Sequence, residues 1–453
     1  MASHKLAVVI LAAGMGTRMK SQLPKVMHPL AGRPMISHLK QTVEALSPDR
    51  VVVVVGPGMD SVAAAVAPWP TVVQHERLGT GHAVMQAREA LAGFHGDVLV
   101  LYGDTPLIGQ ATLERMLAER RGPRHPAVVV LGFRPADPGE YGRLVVGAEG
   151  LKAIVEHRDA TPDQRTIPLC NSGVLALDGA RLWKLVDRLG NDNAKGEYYL
   201  TDLVALARAD GACCTHVEGD VLELLGVNSR AELAVAEAVV QRRLREAALT
   251  GGATLIEPET VWLSWDTRLG QDVLIWPNVV FGPGVTVGNG VTIRSFCHFE
   301  GCTIADGAEL GPFARLRPGA EIGEGVHIGN FVEIKKAAVE KGAKVNHLSY
   351  VGDARVGAGA NVGAGTITCN YDGFNKSFTD IGEGAFIGSN TSLVAPVKVG
   401  DGAIVGAGSV ITKEVGAGAL AVARGSQMEL KGWADRFRER KRAEKAAKAK
   451  TKD

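Results

Sequence analysis

The stretch "LGPFARLRPGAEIGEGVHIGNFVEI", from Leu310 to Ile334, places an aliphatic residue at every sixth position. Each hexapeptide predicts one short strand and a turn, and three of them make a triangular coil of about 18 residues. The second half of the chain is therefore predicted to be a parallel β-helix with aliphatic side chains in its interior. The residues in this register are Leu310, Leu316, Ile322, Ile328, Ile334, Ile381, Ile387, Leu393, Val399, Val405 and Ile411.

The hexapeptide register is interrupted at two places. It shortens near residues 351–356, and the segment "TCNYDGFNKSFTD" (368–380) is too polar and too long for one corner of a coil. The second interruption predicts a loop that projects from the stack of coils. Exposed loops on a rigid scaffold often carry function.

The first half of the chain, up to about Ala247, has a different pattern. Short aliphatic runs such as "LAVVIL" (6–11) and "VLVLYG" (98–103) alternate with helix-like stretches. Continuous apolar strands separated by helices indicate a mostly parallel α/β sheet that is covered on both faces, and ligands of such sheets lie beyond the carboxyl ends of the strands. The segment 229–250 begins with a serine cap and predicts a linker helix.

Composition limits the class of protein. The chain has 453 residues, which predicts two or three domains, and its 50 Lys and Arg nearly balance 49 Asp and Glu. We therefore expect no nucleic-acid partner, although residues 431–453 are strongly basic. No run reaches 18 apolar residues, and the six cysteines show no paired metal-type spacing. A soluble cytoplasmic protein without membrane insertion is expected.

The stretch "LAAGMGTRMKSQLPKV" (11–26) follows the first predicted strand. Gly14 and Gly16 can bring backbone N–H groups close to phosphate oxygens, and Arg18 and Lys25 supply cations. The pattern is neither a dinucleotide fingerprint nor a Walker loop. The alternative is that the glycines only form a tight turn and that the cations are solvated.

Two oxygen-bearing side chains follow strand ends in the same half. Asp104 follows "VLVLYG", and Asn228 lies in "GVNSR". Oxygen ligands of this kind suit Mg²⁺ bound to phosphates. The alternative for Asp104 is that it caps the next helix or turn.

The β-helix region carries polar residues that the hexapeptide repeat does not require. Arg317 and Lys335 are 18 positions apart, so they are predicted to stack on one face and could hold a phosphate. His347 suits a general base, and Tyr350 lies close to it in the sequence. Solvated surface charges and a structural histidine are the alternatives.

The motifs L-A-A-G-x-G-T-R-M with P-K-V, L-G-T-G-H-A, Y-G-D-x-P-L and G-V-N-x-R resemble those of sugar-1-phosphate nucleotidyltransferases. Within them the chain looks like the uridylyltransferase half of the bifunctional bacterial enzymes that make UDP-N-acetylglucosamine. The resemblance implies a Rossmann-like domain in which Arg18 and Lys25 bind phosphates and Asp104 with Asn228 binds Mg²⁺. It further implies that nucleotide or sugar is bound by Leu11, Ala12, Ala13, Gly14, Gln74, Gly79, Thr80, Tyr102, Gly103, Asp104, Gly142, Glu156, Asn171 and Asn228.

The motifs R-L-R-P-G, N-H-L-S-Y-x-G-D and G-A-G-T-I-T-C-N-Y-D-G resemble the acetyltransferase half of the same family, whose fold is a left-handed parallel β-helix. The resemblance implies that His347 is the general base. It implies that Arg317, Lys335, Tyr350 and Asn361 bind the sugar phosphate, and that the acetyl-CoA side is formed by Ala364, Asn370, Tyr371, Ser389, Ala407 and Arg424.

The resemblance therefore predicts a homotrimer with two reactions. Glucosamine-1-phosphate takes an acetyl group from acetyl-CoA, and the resulting N-acetylglucosamine-1-phosphate reacts with UTP to give UDP-N-acetylglucosamine, a precursor of peptidoglycan and lipopolysaccharide. The alternative is a monofunctional nucleotidyltransferase with a trimerising β-helix scaffold. The expected domains are a nucleotidyltransferase at 1–228, the linker helix at 229–250, the acetyltransferase at 251–425 and a basic tail at 426–453.

Overall fold

The computed structural model describes residues 4–450 of the chain. The chain divides into two compact units. The first ends at Thr250 and also includes Trp262–Asp266, and the second comprises Gly251–Val261 and the chain from Thr267 onward.

The first unit is built on a nine-stranded, mostly parallel sheet with the strand order β11-β7-β10-β6-β1-β4-β5, and β8 and β9 extend it beside β10. Strand β10 is antiparallel to both of its main neighbours, and β2 and β3 form a separate small hairpin. The strands are β1 (Leu6–Leu11), β2 (Pro29–Leu30), β3 (Arg33–Pro34), β4 (Arg50–Val55), β5 (Thr71–Val73), β6 (Asp97–Tyr102), β7 (Val128–Phe133), β8 (Arg143–Gly147), β9 (Gly150–Val155), β10 (Cys170–Asp178) and β11 (Cys214–Glu218).

The central strand β1 is apolar at every position because both faces of the sheet are buried. Along β1, Ala7 and Val9 point into one core cluster, and Val8 and Ile10 point into the cluster on the other face. The helices of this unit are α1 (Met35–Ala45), α2 (Asp60–Val66), α3 (Thr80–Met85), α4 (Gln110–Arg120), α5 (Pro162–Arg165), α6 (Gly179–Val186), α7 (Leu203–Ala209) and α8 (Arg230–Thr250), with 3₁₀ turns at Thr17–Met19, Lys25–Met27 and Leu200–Asp202.

Helix α8 is the predicted linker helix, and it belongs to the first unit. Its side chains Ala236, Val239 and Val240 pack in a core cluster with Met35. The predicted cap is present: the Ser229 hydroxyl accepts a hydrogen bond from the Glu232 amide at 3.2 Å. The carboxylate of Glu232 also accepts from the backbone N–H of Asn228 at 2.8 Å, so the start of α8 fixes the position of Asn228.

The second unit is a stack of triangular coils, which confirms the predicted parallel β-helix. Its short strands pair in parallel with the strands of the next coil and form the three faces of a prism. The strands are β12 (Thr254–Leu255), β13 (Arg268–Leu269), β14 (Leu274–Ile275), β15 (Val280–Phe281), β16 (Thr286–Val287), β17 (Thr292–Ile293), β18 (His298–Phe299), β19 (Cys302–Ile304), β20 (Glu309–Leu310), β21 (Arg315–Leu316), β22 (Ala320–Ile322), β23 (His327–Asn330), β24 (Glu333–Val339), β25 (Lys344–His347), β26 (Tyr350–Val356), β27 (Asn361–Val362), β28 (Ile367–Cys369), β29 (Thr379–Ile381), β30 (Phe386–Ile387), β31 (Ser392–Val394), β32 (Val397–Val399), β33 (Ile404–Val405), β34 (Val410–Ile411) and β35 (Leu420–Ala421). A 3₁₀ turn lies at Pro258–Thr260.

All eleven aliphatic residues of the hexapeptide register are at most 4% exposed, so they fill the interior as predicted. The coils are not all of one length. Leu310 pairs with Ile328, a step of three full hexapeptides, whereas the next two steps, from Ile328 to Val345 and from Val345 to Val362, are each shorter by a single residue. The predicted shortening near residues 351–356 is one of several such coils.

One coil is longer than the others, because Val362 pairs with Ile387, more than four hexapeptides further along the chain. The additional residues lie between β28 and β29 and form the predicted projecting loop. Beyond the last coil, α9 (Trp433–Lys450) runs through the basic tail. Among the described residues, the longest helices are too polar to cross a lipid bilayer.

Candidate functional sites

A cavity of about 310 Å³ opens in the first unit beyond the carboxyl ends of β1, β5 and β6, where a parallel sheet is expected to bind its ligand. Ten of the predicted residues line it together with Val26, Arg77, Ala83 and Glu197. The predicted residues are Leu11, Ala12, Ala13, Gly14, Lys25, Gln74, Gly79, Thr80, Tyr102 and Asp104.

Lys25 joins the two predicted metal ligands. Its ammonium forms an ion pair with the carboxylate of Asp104 and donates a hydrogen bond of 3.0 Å to Oδ1 of Asn228. The backbone also links them, because the N–H of Val227 donates to the carbonyl of Asp104 at 2.8 Å. Two side-chain oxygens from distant parts of the sequence therefore meet at one cation.

The glycine-rich turn is shaped around Lys25. Gly16 has φ +70°, a left-handed conformation that side chains oppose. A Cβ at Gly16 would lie 2.7 Å from Cβ of Lys25, well inside van der Waals contact. The absence of a side chain at Gly16 therefore lets Lys25 approach Asp104.

The described residues contain no group of three or more His, Cys, Asp or Glu side chains that could hold a metal ion. Mg²⁺ does not need such a group, because it is commonly bound by one or two protein oxygens together with substrate phosphates and water. The pair of Asp104 and Asn228 fits this type of site.

The opposite wall is formed by Gln74 and the start of α3. Gln74 is only 4% exposed, and its side-chain amide nitrogen donates to the carbonyl of Gly79 at 3.2 Å. The Thr80 hydroxyl accepts from the N–H of Leu200 at 3.1 Å. Burial raises the pKa of the Tyr102 phenol, while a hydrogen bond with Thr80 opposes that shift.

Three further predicted residues lie together at β8, β9 and β10 without lining the cavity. The N–H of Asn171 donates to the carbonyl of Gly142 at 2.8 Å. A Cβ at Gly142 would contact the carboxylate of Glu156 at 3.4 Å. Burial raises the pKa of Glu156, while Lys195 and a hydrogen bond from Thr201 lower it.

The residues predicted from the motifs are not all cavity-lining residues, and some cavity-lining residues were not predicted. Arg18 is exposed in the 3₁₀ turn and does not line the cavity, so its phosphate role stays a prediction. Gly103 packs behind the cavity wall, where an added Cβ would lie 3.3 Å from the Ala12 side chain. Arg77 and Glu197 line the cavity, and the motifs did not single out either residue.

In the second unit, His347 lies at a corner of the prism. Its Nδ1 is 2.8 Å from Oδ1 of Asn330, which occupies the same corner one coil below. Because the amide oxygen can only accept, this contact requires a hydrogen on Nδ1, and in that tautomer of the neutral ring the lone pair is on Nε2. The groove beside this corner has a volume of about 480 Å³ and also includes Arg294, His327 and Asn346.

Four of the six predicted acetyl-CoA residues, Ala364, Ser389, Ala407 and Arg424, continue the row above His347. The N–H of Gly365, next to Ala364, donates to the His347 carbonyl at 3.2 Å, and the Ala364 carbonyl accepts from Asn390, next to Ser389, at 2.7 Å. The remaining two of these four follow in the same direction. The Ser389 carbonyl accepts from Gly408 at 2.8 Å, and the guanidinium of Arg424 donates to the carbonyl of Ala407 at 2.6 Å.

The predicted phosphate cations stack at the next corner. Leu316 pairs with Ile334, which places Arg317 directly below Lys335. The neighbouring ammonium of Lys376, and after it the guanidinium of Arg317, lower the pKa of Lys335 below its ordinary value. Arg317 also donates to the carboxylate of Glu333 at 2.9 Å.

The projecting loop begins beside these cations. Asn370 is buried and donates its amide to the carboxylate of Asp353, whereas Tyr371 is exposed and donates its hydroxyl to the Gly373 carbonyl. The Tyr350 phenol lies over Gly352, where an added Cβ would collide with the phenolic oxygen. The predicted residue Asn361 lies in β27 and pairs with Lys344.

His347 and Lys335 lie at opposite edges of one face of the prism, which is formed by β21, β24, β26 and β28. The groove beside His347 does not include Arg317 or Lys335.

An aromatic ladder, Phe296, Phe313 and Phe331, runs along the corner below Leu348. Consecutive rings stack at 4.9 and 5.0 Å between centroids, and the side chains are 53%, 44% and 54% exposed. All three residues have positive φ, a conformation that bulky side chains rarely adopt. A contiguous, exposed apolar ladder is typical of an interaction surface.

Comparisons with known proteins match both units. The MobA-like NTP transferase domain family matches residues 8–167. The bacterial transferase hexapeptide family, whose model has six repeats, matches residues 266–301, 301–336 and 378–413. The first unit accordingly has a nucleotidyltransferase fold, and the prism is a left-handed parallel β-helix of hexapeptide repeats.

Full-length relatives are also similar to this chain. Bifunctional protein GlmU of Paramagnetospirillum magneticum is 79% identical over 99% of this chain and 100% of that protein. The protein of the same name from Rhodospirillum rubrum is 67% identical over 96% of this chain and 97% of its own length. The one from Sphingopyxis alaskensis is 56% identical over 99% and 100%.

Proposed function

The chain belongs to the family of bifunctional GlmU proteins, and we propose how its two units divide the two reactions of that family. The protein is a bifunctional acetyltransferase and uridylyltransferase. Acetyl transfer from acetyl-CoA to glucosamine-1-phosphate precedes uridylyl transfer from UTP, which gives UDP-N-acetylglucosamine and pyrophosphate. The bifunctional relatives span both units, so a monofunctional nucleotidyltransferase with a passive scaffold is not favoured.

Uridylyl transfer takes place in the cavity of the first unit. The sugar phosphate attacks the α-phosphorus of UTP and pyrophosphate leaves; because the nucleophile is already anionic, positioning and charge neutralisation carry the catalysis. Lys25 supplies a positive charge inside the cavity, and Asp104 with Asn228 provides oxygen ligands for Mg²⁺. When bound, the metal neutralises phosphate charge.

The remaining residues of this site hold the two substrates. Gln74, Gly79 and Thr80 bind the uridine, and the backbone from Leu11 to Gly14 supports it from the end of β1. Arg18 closes over the phosphates from the exposed turn. The sugar side is formed by Tyr102, Gly103, Gly142, Glu156 and Asn171.

Acetyl transfer takes place on the prism, where His347 acts as general base. An ammonium has no lone pair, so the amine of glucosamine-1-phosphate must lose a proton before it attacks the thioester carbon of acetyl-CoA. Nε2 of His347 accepts that proton because Nδ1 is held by Asn330. Arg317 and Lys335 bind the phosphate, Tyr350 and Asn361 position the sugar, and acetyl-CoA lies along Ala364, Asn370, Tyr371, Ser389, Ala407 and Arg424.

The acetyltransferase works as a homotrimer in the cytoplasm. The base and the phosphate cations occupy opposite edges of one face, so neighbouring copies in a closed ring can bring the edge of one prism to the edge of the next. The aromatic ladder next to His347 supports this packing because it offers apolar area at that edge. The six described cysteines are free, as a reducing compartment favours.

One observation carries the uridylyltransferase half of the proposal: Asp104 and Asn228 both contact Lys25 at the cavity. The test uses the full chain and identifies products by mass spectrometry, with acetyl transfer assayed on glucosamine-1-phosphate and acetyl-CoA, and uridylyl transfer assayed separately on supplied N-acetylglucosamine-1-phosphate, UTP and Mg²⁺. Asp104→Ala is expected to lower uridylyl transfer by at least 10²-fold and to leave acetyl transfer within twofold of wild type. His347→Ala should lower acetyl transfer by 10²- to 10⁴-fold and spare uridylyl transfer.

The outcomes separate the parts of the proposal. Loss of both reactions in either folded variant would contradict separate sites. Undiminished acetylation by His347→Ala would remove the base assignment. The metal assignment for Asp104 and Asn228 would be overturned if the rate of uridylyl transfer is unchanged by EDTA treatment and does not rise when Mg²⁺ is added.

A further inference from the structure

The side-chain amide of Gln74 is held in one orientation. Its nitrogen lies 3.2 Å from the carbonyl oxygen of Gly79 and 3.1 Å from Nδ1 of His82. An NH₂ group has two hydrogens, so it satisfies both acceptors at once. The flipped amide would instead place Oε1 against the Gly79 carbonyl oxygen, where two acceptors repel each other.

The fixed amide leaves one acceptor for a ligand. Gln74 is 4% exposed and lines the cavity, and within residues 4–450 its Oε1 receives no protein hydrogen bond. A base that lies against Gln74 therefore meets an acceptor and no donor. At position 3 of the ring uracil presents a donor, N3–H, whereas cytosine presents the lone pair of N3. A base that places position 3 against Oε1 of Gln74 is therefore accepted as uracil and opposed as cytosine.

His82 provides one of the two acceptors that orient the side-chain amide of Gln74. Its Nδ1 can accept from Gln74 only when the hydrogen of the neutral ring is on Nε2. The amide nitrogen of Gln86 lies 3.3 Å from Nε2, but the neutral ring can accept from only one of the two amide nitrogens, and that of the buried Gln74 is the nearer. The Gln86 amide donates instead to the His82 carbonyl at 3.1 Å, and the ring of Tyr198 lies 6.3 Å from that of His82. His82 does not appear among the cavity-lining residues, so it acts through Gln74.

We propose that His82 is a positioning residue for base selection: it orients Gln74 so that the nucleotide site accepts a uridine and rejects a cytidine triphosphate. This inference rests on the proposed role of Gln74 in holding the uridine. A site built to pair with one hydrogen-bonding pattern rejects the opposite pattern because buried polar groups are left unpaired.

The test measures kcat/KM of the full chain for UTP and for CTP with N-acetylglucosamine-1-phosphate, in wild type and in His82→Ala, His82→Asn and Gln74→Ala. The ratio of the two values is independent of the folded fraction, so loss of stability does not change it. His82→Ala is expected to lower the UTP/CTP ratio about tenfold, the effect of one lost hydrogen bond of ordinary strength. His82→Asn keeps an acceptor near the Nδ1 position and should retain most of the ratio, whereas Gln74→Ala should lower it most.

An unchanged ratio in His82→Ala, with a reduced ratio in Gln74→Ala, would overturn the role of His82. Equal losses in His82→Ala and His82→Asn would overturn the requirement for an acceptor. If wild type turns over neither nucleotide, the proposed uridylyl transfer itself fails. Turnover of both nucleotides at equal rates by wild type would refute base selection by Gln74 while leaving nucleotidyl transfer intact.

Discussion

Replacement of Gly16 by alanine tests whether the glycine-rich turn exists to position Lys25. The new Cβ would lie 2.7 Å from Cβ of Lys25, and 3.1 and 3.2 Å from its Cγ and Cδ. Because one of the clashing atoms is Cβ, rotation of the flexible end of Lys25 cannot relieve the contact. The main chain of Lys25, which begins the 3₁₀ turn Lys25–Met27, must move instead.

The size of the effect follows from these distances. Carbon atoms in contact are about 3.5–4.0 Å apart, so Lys25 must shift by roughly 1 Å. A displacement of about 1 Å in a positioning group can cost about 10²-fold in rate. We therefore expect Gly16→Ala to lower kcat/KM for uridylyl transfer about 10²-fold. The left-handed backbone also costs about 1–2 kcal/mol of stability when a Cβ is added.

Gly58→Ala is a matched control for the backbone strain. Gly58 has the same φ of +70°, but a Cβ there would have no atom within 4 Å, and the residue does not line the cavity. The control should therefore lose a similar amount of stability and keep uridylyl transfer within about threefold of wild type. Any further loss of uridylyl transfer in Gly16→Ala, compared with Gly58→Ala, is therefore due to the contact with Lys25.

The assay follows pyrophosphate release from UTP and N-acetylglucosamine-1-phosphate. Thermal unfolding of the same preparations gives Tm and the folded fraction. Acetyl transfer, measured as release of the CoA thiol, checks that the second unit is intact. Equal losses of uridylyl transfer in both variants would show that backbone strain, and not the displacement of Lys25, is responsible. Full activity of Gly16→Ala would refute the role of the glycine altogether.

Three further changes probe the prism. Asn330→Ala should lower kcat for acetyl transfer about tenfold, because it frees the ring of His347. Asn330→Asp is the comparison: its carboxylate stabilises the protonated ring and should move the acid limb of the pH–rate profile to higher pH. Phe313→Ser removes about 90 Å² of exposed aromatic area, which is worth roughly 2 kcal/mol per copy if it is buried between copies. Sedimentation should therefore show weaker association into trimers. An unchanged assembly would contradict the interface. Gly352→Ala would push the Tyr350 phenol aside and should raise KM for glucosamine-1-phosphate, and an unchanged KM would remove Tyr350 from the sugar site.

The fold could be predicted because both units repeat a simple pattern. In the first unit, β1 is apolar at successive positions since both faces of the sheet are buried, and this is visible in "LAVVIL". In the prism, one interior position per face forces an aliphatic residue at every sixth position. The shortening near residues 351–356 was predicted but the other shortened coils were not, because a corner can lose one residue without changing which side chains point inward.

The nucleotide site could be predicted in part, for a topological reason. Asp104 follows a strand and therefore lies at the ligand edge of the sheet. Asn228 reaches the same place because Glu232, at the start of α8, holds its backbone. Arg77 lies between the predicted residues Gln74 and Gly79, so its place at the cavity wall follows from theirs, whereas Glu197 lies in a segment with no repeating pattern that would indicate it.

The environment of His347 shows what the departure from a regular repeat accomplishes. A uniform coil of about 18 residues would align His347 with Gly329, which has no side chain. The coil there is one residue shorter, so His347 pairs with Asn330 and gains the acceptor that fixes its tautomer. The next coil is also shortened, since Val345 pairs with Val362, and this keeps Ala364 directly above the histidine. Arg317 and Lys335 lie in a coil of full length and stack as the repeat predicts. The residue lost at one corner therefore determines which side chain lies beside His347, and a search of such prisms for shortened coils should locate polar pairs that a uniform repeat hides.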